Sequence, residues 1–151
     1  MKTVKRRSYK KKRGGTTKYN RRPADNKRKS SIVQTFLQIL NMVKLYHWKT
    51  HSYAQHKATD ELYGKLNENI DRFIEVLLGK DASRIKMVEK QLLLVDPDKL
   101  ADFKEKIYEY RSFLIDLEKI FDEKKDSDIL SIRDDILVDI NQFLYLLTFD
   151  R

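Results

Sequence analysis

Residues 45–79 read LYHWKTHSYAQHKATDELYGKLNENIDRFIEVLLG, and this stretch decides both the fold and the candidate site. It contains five side chains of the kinds that bind metal ions, namely His47, His56, Asp60, Asp71 and Glu75. On an α-helix, at 100° per residue, the last four lie within about 100° of one another. The pattern therefore predicts a helix that carries a row of metal-binding groups along one face.

The length of that row excludes an ion site built by a single chain. His56 and Asp71 are about 22 Å apart along the helix axis, at 1.5 Å per residue. If two copies pack antiparallel about a two-fold axis, His56 and Asp60 of one chain meet the two later ligands of the other. The axis would then pass near residues 65–66, and the dimer would hold two intersubunit sites.

The same stretch resembles the ferroxidase segment of Dps, a family of ferritin-like proteins that protect DNA in starved cells. That family has a His-Trp pair near the end of its first helix, as at His47-Trp48. Its second helix has His-x3-Asp and, eleven positions later, Asp-x3-Glu, as from His56 to Glu75 here. Residues 45–79 carry the resemblance, and such chains are also similar to divergent ferritin-like proteins of large DNA viruses.

The resemblance implies that His47, His56 and Asp60 come from one subunit and that Asp71 and Glu75 come from its neighbour. It implies iron as the metal, with Fe(II) oxidised by peroxide or oxygen and stored in a hollow oligomer, a dodecamer by analogy. The set of two imidazoles and three carboxylates also suits Mn(II) or Zn(II).

Two further side chains are predicted beside the ligands. Trp48 is expected to pack next to the site, because tryptophan is mostly buried and its N–H usually finds a partner. A role for Trp48 in intercepting radicals, which the resemblance implies, is the weaker alternative. His51 lies in the loop between the two helices, where it is a further ligand, a partner of a ligand or a solvated side chain.

Three interpretations of the five-residue pattern stay open. The pattern is an active metal site, or a site of the same descent whose chemistry is weakened or lost, or a charged helix face with incidental histidines. The Glu-x-x-His motif of ferritins is absent, which excludes their usual intrachain di-iron site.

Amphipathic patterns predict four long helices. The predicted core stripe of the first helix is Ile32, Phe36, Ile39, Val43 and Tyr46, and that of the second is Leu62, Leu66, Phe73 and Leu77. We expect the first over residues 30–50, the second over 52–79, the third over 97–121 and the fourth over 126–147. Ser52 and the Asp96-Pro97 pair are the predicted caps of the second and third helices, and Gly79 is the predicted stop of the second. A short helix is predicted over 85–94 in the long connection. The expected fold is all-α, a ferritin-like four-helix bundle with one long crossover.

Positive charge is concentrated at the start of the chain. Residues 1–29 contain 14 of the 32 basic residues and one of the 23 acidic residues, which gives a net charge of +13. Residues 30–151 have a net charge of −4. Because residues 1–29 have few apolar side chains to offset the entropy of ordering, we predict a disordered basic arm before a helical domain over 30–151.

The arm is predicted to bind DNA through phosphate contacts, as the Lys-rich tails of many Dps proteins do. The alternatives are an acidic protein surface, such as the inside of a capsid, and a nuclear-import receptor. The candidate basic residues are Lys5, Arg6, Arg7, Lys10, Lys11, Lys12, Arg13, Arg21, Arg22, Lys27, Arg28 and Lys29.

Two functions follow from these features. The first is a Dps-like protein that binds and oxidises ferrous iron and holds DNA with its arm. The second is a structural nucleoprotein or minor virion protein that uses no metal. The chain has no cysteine, no apolar run near the roughly 18 residues of a membrane span and no signal-like start. We therefore expect a place in the cytoplasm or nucleoid, or in a virion.

Overall fold

The computed structural model describes residues 23–149, which form four α-helices with one long connection in the middle. The helices are α1 (Pro23–Lys49), α2 (Tyr53–Gly79), α3 (Leu100–Asp116) and α4 (Ser127–Leu146). A 3-10 turn follows α3 at Leu117–Lys119 and another follows α4 at Leu147–Phe149. The described chain contains no strand, so the prediction of an all-α four-helix bundle with one crossover is confirmed.

The four helices enclose one apolar core. Helix α1 packs against α2 and α3, and α4 packs against the same two helices. The stripe predicted on the second helix is buried, with Leu62, Leu66, Phe73 and Leu77 all in the core. Phe36 of α1 meets Phe73 edge to face, with 5.2 Å between ring centroids. Each fully buried side chain of this size stabilises the fold by roughly 1.5–3 kcal/mol. No helix in the described part of the chain is long and apolar enough to span a membrane.

Helix α1 begins at Pro23 and not at Ser30, as we predicted. Proline suits the first turn of a helix, where its missing N–H has no intrahelical partner to lose. The predicted arm boundary at residue 29 is therefore wrong, because residues 23–29 belong to the first helix. Residues 1–22 lie outside the described residues, and so do the basic candidates numbered 5 to 22.

Lys29 ties the first part of α1 to the turn after α2. Its side chain is buried, and its ammonium donates to Asp81 Oδ2 at 2.6 Å and to Ser83 Oγ at 3.1 Å. Asp25, one turn earlier, lies 3.3 Å away. Burial raises the pKa of Asp81, but the bonds from Lys29 and Ser83 outweigh it and hold that pKa below its ordinary value. Lys29 thus anchors α1 to the turn after α2 and is not an exposed cation for DNA.

The long connection over residues 80–99 contains no helix, so the short helix predicted over 85–94 is wrong. Lys29 contacts Ser83 near its start, and Lys49 contacts Asp98 near its end at 2.7 Å. These two lysines are about 30 Å apart along α1, whereas 15 residues in a helix would cover only about 22 Å. A continuous helix is therefore too short to reach both anchors, and the connection is irregular instead.

Asp96 and Pro97 do not cap the third helix, which begins later, at Leu100, without a side-chain cap. Asp96 instead contacts Lys49, with 2.6 Å between Oδ1 and Nζ. The predicted cap is wrong because an ion pair to α1 takes the carboxylate. The α-helical part of this helix also ends at Asp116, before the predicted residue 121.

The remaining helix boundaries agree with the prediction. Ser52 Oγ accepts a hydrogen bond from the Gln55 N–H at 3.2 Å, so Ser52 caps α2. Helix α2 ends at Gly79, and α4 begins at Ser127. The left-handed residue in the turn after α2 is Ala82, with φ 51°, so Gly79 ends the helix without using its extra conformational freedom.

Replacing Lys29 with alanine is expected to lower the free energy of unfolding by about 1.5–3 kcal/mol, as for hydrogen bonds to charged groups. Lys27→Ala, which removes an exposed cation on the same helical turn, should change it by at most about 0.5 kcal/mol. Urea unfolding followed by circular dichroism measures both variants. Equal losses in the two variants would contradict the anchoring role of Lys29.

The same contact sets a pH dependence. Because the folded-state pKa of Asp81 is lowered, its contribution to stability is complete above the ordinary value of 3.8 and is lost as the pH falls through the lowered pKa. Lys29→Ala should therefore flatten the acid side of the stability profile below about pH 5. Urea unfolding of both proteins across that range checks the slope.

Candidate metal centre

The centre of the candidate site lies where the end of α1 meets the start of α2. A three-residue connection, residues 50–52, reverses the chain between the two helices. The reversal stacks the rings of His47 and His56, with 3.9 Å between centroids and 22° between planes. Two of the five predicted ligands are thereby in direct contact within one chain.

Hydrogen bonds to backbone oxygens fix the tautomer of both rings. His47 Nδ1 lies 3.0 Å from the carbonyl oxygen of His56, and His56 Nδ1 lies 3.0 Å from the carbonyl oxygen of His47. A carbonyl oxygen can only accept, so each Nδ1 carries the proton and donates it. Each Nε2 therefore presents a lone pair, which is the form in which histidine binds metal ions.

The buried side of the pair is held by a threonine. His47 is buried, whereas His56 is exposed. Thr59 Oγ1 lies 3.2 Å from His47 Nδ1 and donates its own proton to the Gln55 carbonyl at 2.7 Å. Thr59 can therefore accept a second branch of the His47 hydrogen bond, which holds the His47 ring in place.

Asp60 is the third predicted ligand on this side of the site. Its Oδ1 lies 3.9 Å from His47 Nε2 and 3.9 Å from Lys44 Nζ. The carboxylate is exposed, so a change of rotamer can bring it closer to the imidazole nitrogen. The Lys44 ammonium, which also lies 4.7 Å from the Tyr63 ring, balances the charge of Asp60 in the single chain.

Asp71 and Glu75 lie farther along α2, and both are exposed. Among residues 23–149 of one chain, no three His, Asp or Glu side chains are grouped as they would be around a metal ion. The five predicted ligands are thus divided within the chain. His47, His56 and Asp60 are at one end of the row, and the two later acids are at the other.

Trp48 and His51 do not pack against the ligands in the single chain. Trp48 is 69% exposed, so the expectation that it is buried beside the site is wrong here. Position 48 is turned by about 100° from position 47 on α1, which directs its side chain away from the histidine pair. His51 is exposed in the connection, in agreement with the solvated alternative.

An apolar groove between α1 and α2 was not predicted from the sequence. It has a volume of about 230 Å³ and lies beside Asp71. Its lining residues are Val33, Phe36, Leu37, Leu40, Asn67, Ile70, Asp71 and Ile74. Leu37 is exposed in the groove. The signal for it was present in the sequence, because Leu37 lies outside the core stripe of the first helix.

Gly64 lies on the exposed side of α2, near the middle of the ligand row. A Cβ added at this position would meet nothing within 4 Å. Glycine inside a helix costs about 0.5–1 kcal/mol relative to alanine. No contact within residues 23–149 therefore explains why a side chain is missing here.

Comparison with known proteins gives one match. Residues 47–147 match a family of unknown function, DUF5856. The chain belongs to this family. The region that matches the family begins at His47 and takes in all five predicted ligands, whereas most of α1 and the basic start of the chain lie before it. No curated protein and no solved structure matches the chain.

The assigned tautomer of His47 predicts different effects of two substitutions. His47→Asn keeps an N–H near the position of Nδ1 and should retain most of the stability, whereas His47→Leu removes the bond to the His56 carbonyl, which keeps its contact with Thr59 Oγ1 at 3.1 Å. We expect the leucine variant to be less stable than the asparagine variant by about 0.5–1.5 kcal/mol, the net contribution of one hydrogen bond. Thermal unfolding measures the difference, and equal melting temperatures would contradict the assignment.

Proposed function

We propose that this chain forms a two-fold dimer through the outer faces of α1 and α2, and that the dimer binds Fe(II) as a substrate at two intersubunit sites. Each site takes its two histidines and Asp60 from one chain and takes Asp71 and Glu75 from the other. The observation that carries the proposal is the stacked pair of His47 and His56, whose Nε2 lone pairs are both left for a metal ion.

Three features of the α1–α2 face support an interface between copies. The ligand row is too long for one ion but has the symmetry of an antiparallel pair of helices centred near residues 65–66. Gly64 lies beside that centre and leaves room for a close approach. The groove beside Asp71 leaves apolar surface around Leu37 exposed, which a second copy would cover.

The ligand chemistry supports a redox role for the bound iron. Imidazole and carboxylate ligands suit Fe(II), and they also suit Mn(II) or Zn(II). The three carboxylates favour the ferric product over the ferrous substrate, because attraction to negative charge grows with the charge of the ion. Peroxide or oxygen would accept the electrons. An oligomer that is a dodecamer by analogy with Dps would store the product.

We further propose that the basic start of the chain binds DNA. Residues 1–22 contain 11 basic residues and no acidic residue, whereas residues 23–151 contain 21 basic and 23 acidic residues. The helical body would therefore repel phosphate groups, and the basic segment would attract them. Lys29 is left out of this role because Asp81 and Ser83 hold it.

If the site is shared between two chains, mixing two inactive variants should restore part of the activity. Asp60→Ala and Glu75→Ala should each abolish Fe(II) oxidation, and both should leave the fold intact because the two side chains are exposed. In a mixed dimer, one site loses both carboxylates and the other keeps all five ligands. After unfolding and refolding the two variants together in equal amounts, activity should recover to about a quarter of the wild type.

Absorbance of the ferric product measures this recovery, and refolding of each variant alone is the control. If the mixture stays inactive while the wild type oxidises iron, the site is not shared between chains. If the wild type oxidises no more iron than buffer does, the proposed activity is wrong, and a structural nucleoprotein or virion protein becomes the better account.

Deleting residues 2–22 should remove DNA binding and leave helix content and assembly unchanged, because the truncation ends before α1. With roughly 6–10 phosphate contacts, the affinity of the full chain should fall by about 10³–10⁵ between about 50 and 200 mM salt. Gel shifts of both proteins over a salt series measure the effect. Equal binding by the truncated protein would refute the role of the segment, and binding by neither would point to an acidic protein surface or an import receptor.

A further inference from the structure

Residues 84–98, which we name the crossover segment, contain neither helix nor strand and bend at Val88. Within residues 23–149, the segment makes no backbone–backbone hydrogen bond. Side chains of α1 hold it at a few points, where Ser30 Oγ accepts from the Val88 N–H at 2.9 Å and Gln38 lies 3.5 Å from the Leu93 carbonyl. The Gln91 N–H is used within the segment, since it donates to Glu89 Oε1 at 2.9 Å. Backbone N–H and C=O groups that lack a backbone partner can pair with the backbone of another chain.

The crossover segment also exposes large apolar side chains. Val88 is 60% exposed, Leu93 is 77% exposed and Leu94 is 56% exposed. Leu93 and Leu94 belong to the run Leu-Leu-Leu-Val at residues 92–95, and Val88 lies four residues before this run. Leu92 and Val95 are half-buried, so the exposed apolar surface consists of Leu93, Leu94 and Val88. Neighbouring exposed apolar side chains favour contact with another protein.

The charges of the crossover segment are complementary to themselves in the antiparallel direction. Its first part carries Arg84 and Lys86, and its last part carries Asp96 and Asp98. Two copies paired antiparallel about Gln91 place Arg84 opposite Asp98. The same register places Lys86 opposite Asp96.

The apolar residues follow the same register, which sets Val88 opposite Leu94. The intramolecular ion pairs leave charge for a partner, because Asp96 and Asp98 share the single ammonium of Lys49. Both carboxylates are exposed. The segment thus carries opposite charges at its two ends, with apolar side chains between them on both sides of a polar centre, Glu89 to Gln91.

We propose that the crossover segment is a second self-association site, at which two copies pair as antiparallel strands centred on Gln91. Opposite charges and apolar side chains placed across such a pair stabilise it. The segment is held by Ser30, Gln38 and Lys49 of α1, and none of these lines the groove between α1 and α2. The contact therefore uses a different surface from the ligand row and needs no metal.

A cysteine at the centre of the pairing tests its register, and the chain has no native cysteine to interfere. Residues directly opposite across antiparallel strands have Cβ atoms about 4.5–5.5 Å apart, close to what a disulfide requires. Gln91→Cys should therefore form a covalent dimer under mild oxidation. In Glu89→Cys, the matched control, the two thiols would be offset by four positions, about 13 Å along the strand.

The disulfide yield from Gln91→Cys should exceed that from Glu89→Cys by about tenfold or more, because only the central pair meets the distance limits. It should stay unchanged when Asp60→Ala is added, since the contact does not depend on the metal site. Equal yields from the two cysteine variants, or no dimer from Gln91→Cys, would overturn the proposal whatever the iron assay gives.

Charge reversal tests the pairing directly, with Gln91→Cys present in every protein. Lys86→Asp creates two like-charge contacts in the symmetric pair and should lower the association constant by about tenfold. A Lys86→Asp protein that cross-links as well as its parent would show that the pairing is wrong.

Discussion

Two hydrogen bonds join the end of α1 to the start of α2, since His47 and His56 each donate from Nδ1 to the backbone carbonyl of the other. They close a hairpin whose connection is only three residues long. They also fix the protons on the two Nδ1 atoms, so that both Nε2 atoms are free to bind. The contact that positions α2 against α1 is thus also the contact that fixes the tautomer of both imidazoles.

The sequence predicted the features that neighbouring residues decide. The buried stripe of Leu62 and Phe73 and the Ser52 cap depend on residues within a few positions along the same helix. The errors arose where distant residues compete for a side chain. Lys29, which we had placed in an exposed arm, is a buried part of the first helix and binds Asp81, and the carboxylate of Asp96, the predicted cap, binds Lys49. The spacing of residues within one helix cannot predict these ion pairs, because the two partners are far apart in the sequence.

For the candidate site, spacing along one helix predicted the distance between its two groups of ligands, and that distance is the reason we propose a second chain. It could not predict the stacking of His47 on His56, which depends on how a three-residue connection turns. In the single chain, Asp60, Asp71 and Glu75 remain in water, which lowers the cost of three nearby charges. Bringing them together would raise that cost, so a bound cation and the assembly of two chains would stabilise each other.

The crossover segment, which contains neither helix nor strand, is not protected by backbone–backbone hydrogen bonds within the described residues. Its amide hydrogens, which have no backbone acceptor in the described residues, should exchange with solvent much faster than those of α2. A protease should cleave the same segment before it cleaves any of the helices. Because α1 packs on α2 and α3 packs on α4, a cut there would leave two helical hairpins that still share one core. The described part of the molecule therefore consists of two helical hairpins that share one core. The crossover segment that joins them should tolerate an inserted sequence, or new chain ends in a circular permutant, better than the helices do.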